Sequence, residues 1–133
     1  MIDVSIEVVH ILSGAARRNA LIQTTLMQTI SAPELAHWLA DGARTPPLVL
    51  DVREPWEHQV CAIAGAALLP MSEVRARFAS LAADRPVVCV CHHGARSAQV
   101  AMFLRQQGWS EVYNLTGGID AWARQVDPTM AVY

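Results

Sequence analysis

Cys91-His92-His93-Gly94-Ala95-Arg96-Ser97 decides how this chain is read. Before it stands Pro86-Val87-Val88-Cys89-Val90, a short apolar run rich in β-branched residues, which predicts a buried strand. After it, Ser97 to Arg105 predicts a helix with Val100, Phe103 and Leu104 on one face and Gly108 as its stop. A cysteine is thus set on a tight turn between a strand end and a helix start. The free N–H groups of a first helical turn and the positive end of its dipole favour an anion at that point. A cysteine in a core is ordinarily an inert filler. A glycine and an arginine in the same short turn argue instead for a reactive thiol.

Working outward, the residues before the loop predict strands that alternate with helices. Thr29-Ile30 is a short first strand, and Ser31-Ala32-Pro33-Glu34 forms a capping box with proline in the first turn. The helix that follows should bury Leu35, Trp38 and Leu39 and end at Gly42. Leu48-Val49-Leu50-Asp51-Val52 is continuously apolar up to its aspartate, as in a strand covered on both faces. Pro55 to His58 reads as one helical turn; Trp56 could overhang the pocket mouth, but a large apolar residue is more often core, and that is the favoured reading. Ala67 to Pro70 is a short strand, and Ser72 caps a helix through Leu81 striped by Val74, Phe78 and Leu81. Beyond Gly108, Val112 to Leu115 is the last strand. Gly117-Gly118 then opens a short helix containing Trp122, its glycines permitting close backbone approach. Asp127 to Tyr133 reads as a tail. The alternation predicts an α/β fold, an open and mostly parallel sheet with helices on both faces. Loops at the carboxyl ends of its strands, including Asp51–Arg53 and Cys91–Arg96, then share one edge.

Composition bounds the remaining choices. The 133 residues suffice for one ordinary core, and 53% apolar with 17% charged residues describes a globular chain. All ten basic residues are arginine, dispersed along a chain of net charge −2, so nucleic acid is not an expected partner. No apolar run reaches about 18 residues, so no membrane helix is expected. Cys61, Cys89 and Cys91 are too few and too irregular for a disulfide framework or a zinc site. Cys89 and Cys91, two apart on a strand, should lie side by side with Cα atoms about 6.6 Å apart, which disfavours a bridge. Free thiols point to a reducing, cytoplasmic setting. Residues 1–28 read as an N-terminal extension, with Val8 to Leu12 undecided between strand and helix and Asn19 to Met27 mildly helical.

Three segments in order, Leu50 to Glu54, Cys91 to Ser97 and Asn114 to Trp122, resemble the rhodanese family of sulfurtransferases over residues 29–133. The resemblance implies that Cys91 carries a sulfur atom as a persulfide, without a cofactor. It also implies that the backbone of His92, His93, Gly94, Ala95, Arg96 and Ser97 wraps that sulfur. Arg96 would attract a small anionic sulfur donor, and Asp51 and Arg53 would support the loop by hydrogen bonds. The chain departs from the family at Ala62 and Ala64, where His and Pro are common, ahead of the retained Gly65-Ala66. Cys61 could act as a resolving thiol, although a buried filler is the favoured reading. His92 and His93 serve either as acids or as the loop's polar exterior. A metal site made of Cys91, His92 and His93 is disfavoured because adjacent side chains diverge. A cysteine phosphatase needs one more residue between Cys and Arg than Cys91-x4-Arg96 provides, and is rejected. A module that relays sulfur to a protein acceptor, or merely binds a partner, is the alternative to an enzyme. Nothing in the sequence sets an oligomeric state.

Overall fold

In the computed structural model, which describes residues 27–133, the β-branched runs form the middle of one sheet. The strands are β1 (Gln28–Ile30), β2 (Leu48–Asp51), β3 (Ala67–Leu68), β4 (Val87–Val90) and β5 (Val112–Leu115). Their order is β1-β5-β4-β2-β3 and every pairing is parallel. Of the N-terminal extension, Met27 and Gln28 are described. The readings of Val8–Leu12 and of the stretch from Asn19 to Leu26 lie outside the described residues.

β4 sits in the centre because all four of its side chains can be buried. Its alternation splits them between two cores. Val88 and Val90 join Val49, Leu115, Leu35, Trp38, Ile119 and Trp122 on one face. Val87 and Cys89 join Leu50, Val112, Val100, Ala101 and Leu104 on the other. Each buried Val or Leu here is worth roughly 1.5–3 kcal/mol relative to exposure, so β4 anchors the fold and fixes where its next residue, Cys91, emerges.

Among the described residues five α-helices clothe the sheet: α1 (Ala32–Ala40), α2 (Pro55–Val60), α3 (Val74–Arg77), α4 (Ala95–Gln106) and α5 (Gly118–Gln125). α1 starts at the expected capping box, with Ser31 Oγ accepting from Glu34 N–H at 3.2 Å and Glu34 Oε1 accepting from Ser31 N–H at 3.0 Å. Its buried face is Ala32, Leu35 and Trp38, three residues apart. Leu39 lies off that line and is exposed. The helix expected from Ser72 to Leu81 is broken into a 3-10 turn at Met71–Glu73, the single α-turn of α3, and a second 3-10 turn at Phe78–Ser80. Pro70, not Ser72, precedes it, and no side chain caps it. Only Val74 is fully buried in this stretch. Phe78 swings to meet Phe103 edge-on, ring centroids 5.1 Å apart, and one regular helix is not required to bury the stripe. α4 begins two residues earlier than expected, at Ala95, which makes Gly94 its N-cap.

Candidate active site

β4 ends at Val90, and Cys91 to Gly94 turn directly into α4. The turn closes because Gly94 adopts φ 114°, a left-handed conformation that a side chain resists. Gly94 N–H then points back at the cysteine and donates to Cys91 Sγ at 3.0 Å. Ser97 Oγ, wholly buried in the first turn of α4, lies 3.2 Å from the same sulfur. Cys91 itself is buried. Its sulfur therefore sits among N–H and O–H donors at the N-terminus of a twelve-residue helix, a setting that stabilises negative charge.

The loop is held from below by Asn114 of β5. Asn114 Oδ1 accepts from Ser97 Oγ at 2.5 Å, and Asn114 Nδ2 donates to Gly94 O at 3.0 Å. It is held from the side by the start of α5, whose Ile119 and Asp120 N–H groups donate to Cys91 O (2.8 Å) and His92 O (3.1 Å). Gly117 and Gly118 make that approach possible, both in left-handed conformations. A Cβ on Gly118 would stand 2.4 Å from Cys91 O. Asn114 was part of a recognised motif but had no role in the sequence reading. A polar residue in the otherwise apolar run Val112–Leu115 was its signal.

Arg96 stands in the first turn of α4 and is about one-third exposed (35%). Its Nη1 and Nη2 donate to Glu57 Oε1 and Oε2 at 2.7 and 2.9 Å, a bidentate pair. Those bonds hold the nearly buried Glu57 carboxyl down at about 2, against the pull of burial. Glu57 was missed by the sequence reading. It stands in the first turn of α2, three residues after Glu54, and its Oε1 accepts from Glu54 N–H at 3.0 Å.

Asp51 and Arg53 lie beside the loop, since Val52 N–H donates to Val90 O at 2.9 Å. Their side chains do not bond the 91–97 loop as expected. Arg53 is fully buried and forks onto Asp51 through Nε (2.9 Å) and Nη2 (2.7 Å). It also donates to Glu57 O, Cys61 O and Tyr133 Oη. Burial would raise the Asp51 carboxyl, but Arg53 and His58 Nδ1, 2.8 Å away, bring it below its ordinary range. A buried guanidinium must spend its donors on nearby acceptors, and the nearest are on α2 and the Cys61 turn rather than the loop.

The two histidines also differ from expectation. Their rings do not diverge but stack, with centroids 4.0 Å apart. Burial and the neighbouring His93 hold His92 below the usual imidazole range. The ligating atoms of His92, His93 and Asp120 lie within 4.8 Å of one another, and Cys91 is not among them. Asp120 is meanwhile bonded to Arg124 Nε at 2.9 Å. Ala95 is exposed at the start of α4. Trp56, expected in the core, is 59% exposed and meets Tyr133 edge-on at 5.6 Å. Position 56 points outward because α2 turns Glu57 inward to Arg96. Cys61 is half-buried with Sγ 3.9 Å from Arg53 Nη1. Burial pushes the Cys89 thiol up to about 12, which leaves it unreactive.

Among known proteins, the model of the rhodanese-like domain matches residues 31–125. The chain is 40% identical over 106 residues to a sulfurtransferase of Allochromatium vinosum, covering 80% of this chain and 97% of that one. It is 38% identical over 107 residues to the probable adenylyltransferase/sulfurtransferase MoeZ of Mycobacterium tuberculosis, covering 79% of this chain but spanning only 27% of that larger protein. The crystal structure of a rhodanese-related protein from Thermoplasma volcanium superposes with a TM-score of 0.67 at 33% identity, over 74% of this chain and 93% of that one.

Proposed function

The chain belongs to the rhodanese-like family, and from that premise we propose that it is a sulfurtransferase in which Cys91 carries the sulfur. The Cys91 thiolate attacks the outer, sulfane sulfur of a donor such as thiosulfate or a persulfide. The donor's S–S bond breaks, and its electron pair leaves with sulfite or with a thiolate. Cys91 is left as a persulfide. A thiophilic acceptor, cyanide or a thiolate on a partner protein, then attacks the terminal sulfur and returns Cys91 to the thiolate. Each half is a two-electron displacement at sulfur, and no cofactor enters.

The observation that supports this reading is the cradle around Cys91 Sγ, built from Gly94 N–H and Ser97 Oγ at the head of α4. Ser97 has one proton and three acceptors in reach: Cys91 Sγ, Gly94 O and Asn114 Oδ1. It can turn toward the sulfur as charge develops there. Arg96 spends two of its N–H groups on Glu57 and keeps the rest for an anionic donor. Among the described residues no helix is long and apolar enough to cross a membrane. We place the protein in the cytoplasm, where its three free thiols would stay reduced. Residues 1–26 are proposed to be dispensable for transfer, since every residue of the cradle lies beyond them.

Mass spectrometry after thiosulfate treatment tests the proposal. One added sulfur is expected on Cys91, removable by cyanide and absent from a folded Cys91→Ser protein. Sulfur uptake by the Cys91→Ser protein, or phosphoester hydrolysis by the wild type without sulfur uptake, would overturn it.

A further inference from the structure

Residues 127–133 lie beyond the segment matched by the family model, yet the chain returns there to the active-site loop. Tyr133 Oη donates to Glu57 Oε2 at 2.7 Å and accepts from Arg53 Nη1 at 2.9 Å. The chemistry fixes those directions, because a guanidinium only donates and an ionised carboxylate only accepts. The ring of Tyr133 lies flat on His92, centroids 4.0 Å apart and planes 14° from parallel. One side chain thus touches the first loop residue after Cys91 and the carboxylate that orients Arg96. It also joins two ion pairs into a single line, Asp51–Arg53–Tyr133–Glu57–Arg96.

Glu57 shows why the link matters. Its Oε1 accepts from Arg96 Nη1 and from Glu54 N–H, and its Oε2 accepts from Arg96 Nη2 and from Tyr133 Oη. Tyr133 is the neutral donor that holds Oε2 in place without competing with Arg96 for charge. Without the hydroxyl, Oε2 is fixed by Arg96 alone, and only the Glu54 N–H bond to Oε1 ties the pair to α2. Burial raises the Tyr133 phenol to about 12, so the donor is present at neutral pH.

We infer that Tyr133 is a positioning residue for sulfur transfer, acting through Glu57 to aim Arg96 at the anionic donor and through ring stacking to hold His92 against the loop. The inference rests on the sulfurtransferase reading for its effect on turnover, and on geometry alone for its effect on anion preference at Cys91.

The full chain and its Tyr133→Phe variant, which keeps the ring, are compared in two assays. In sulfur transfer from thiosulfate to cyanide, KM for thiosulfate should rise about fivefold, the worth of one ordinary net hydrogen bond, with kcat within about twofold. In alkylation of Cys91, the rate ratio of anionic iodoacetate to neutral iodoacetamide should fall by a similar factor. Both effects should vanish when Tyr133→Phe is placed in an Arg96→Ala background. A Tyr133→Leu variant, lacking ring and hydroxyl, should add a loss of kcat. An unchanged KM and alkylation ratio in Tyr133→Phe, or an equal effect in the Arg96→Ala background, would overturn the inference. If the wild type takes up no sulfur at all, the sulfurtransferase reading fails while the alkylation ratio still decides the role of Tyr133.

Discussion

Replacing Gly118 by alanine perturbs the loop from a neighbouring helix without touching any side chain of the cradle. At φ 61°, alanine would cost about 1–2 kcal/mol from its left-handed backbone alone. Its Cβ would also stand 2.4 Å from Cys91 O, 2.5 Å from His92 O and 2.6 Å from His92 C. Those neighbours are backbone, so they cannot rotate away. Ordinary contact begins at 3.4 Å, which means α5 and the loop must part by about 1 Å, since packed atoms resist closer approach. The bonds from Ile119 and Asp120 N–H to Cys91 O and His92 O, at 2.8 and 3.1 Å, would then be lost or badly stretched. Two such bonds are worth about 1 kcal/mol each, for a total of roughly 3–4 kcal/mol. Against a typical domain stability of about 5–15 kcal/mol the variant folds. Displacing the sulfur by that distance should lower kcat/KM about a hundredfold. Gly65→Ala is the control: at φ 81° with nothing near its Cβ, it should cost only the backbone increment, about 1–2 kcal/mol, and keep full activity. Urea unfolding and steady-state sulfur transfer read both quantities. A Gly118→Ala protein no less stable than Gly65→Ala, with normal kcat/KM, would show that α5 does not set the loop.

Glu57 is ionised down to about 2 in the fold against 4.5 for a free carboxyl, chiefly because of Arg96. A lowered folded value stabilises above the unfolded value, so this contribution should be lost as pH falls from 4.5 toward 2. Melting temperature against pH should therefore decline less steeply over that range in Glu57→Gln than in the wild type. Asn114→Ala removes the acceptor of Ser97 and the donor to Gly94 O. It should cost about 1–3 kcal/mol in denaturant unfolding and lower kcat/KM several-fold, and a neutral result would mean the loop supports itself. The Cys61→Ser, Cys89→Ser double variant should transfer sulfur to cyanide at a near-normal rate. Loss of transfer in Cys61→Ser alone would instead make Cys61 a resolving thiol.

What could be read from the sequence was what neighbours in the chain decide. Val87–Val90 and Val112–Leu115 are β-branched or apolar runs between turn residues, and both are strands. The Ser31–Glu34 box is a contact over three residues and was legible for that reason. Gly117-Gly118 announced a close backbone approach, and Cys91 O is what approaches. Failures came where a side chain's partner is far along the chain. Glu57 meets Arg96 across 39 residues, and Tyr133 meets Glu57 and Arg53 across 76 and 80. No local period marks such contacts, so Tyr133 read as tail and Trp56 as core. Leu39 and the broken stretch from Met71 to Ser80 failed for another reason. Hydrophobicity showed that residues could be buried, but the surface offered by the sheet decided which ones were.

Many of the bonds that shape the loop are drawn from other parts of the chain. Main-chain N–H groups of α5 fix its first two carbonyls, Asn114 fixes Gly94, and Ser97 is locked beneath. The side chains of His93 and Ala95 make none of those bonds, while Gly94 at φ 114° holds a conformation that a side chain resists. The turn around Cys91 and the loop's outward face are therefore set by separate positions. A protein engineer could vary 93 and 95 as a library, changing the loop's outward face while the bonds that shape the turn around Cys91 are kept.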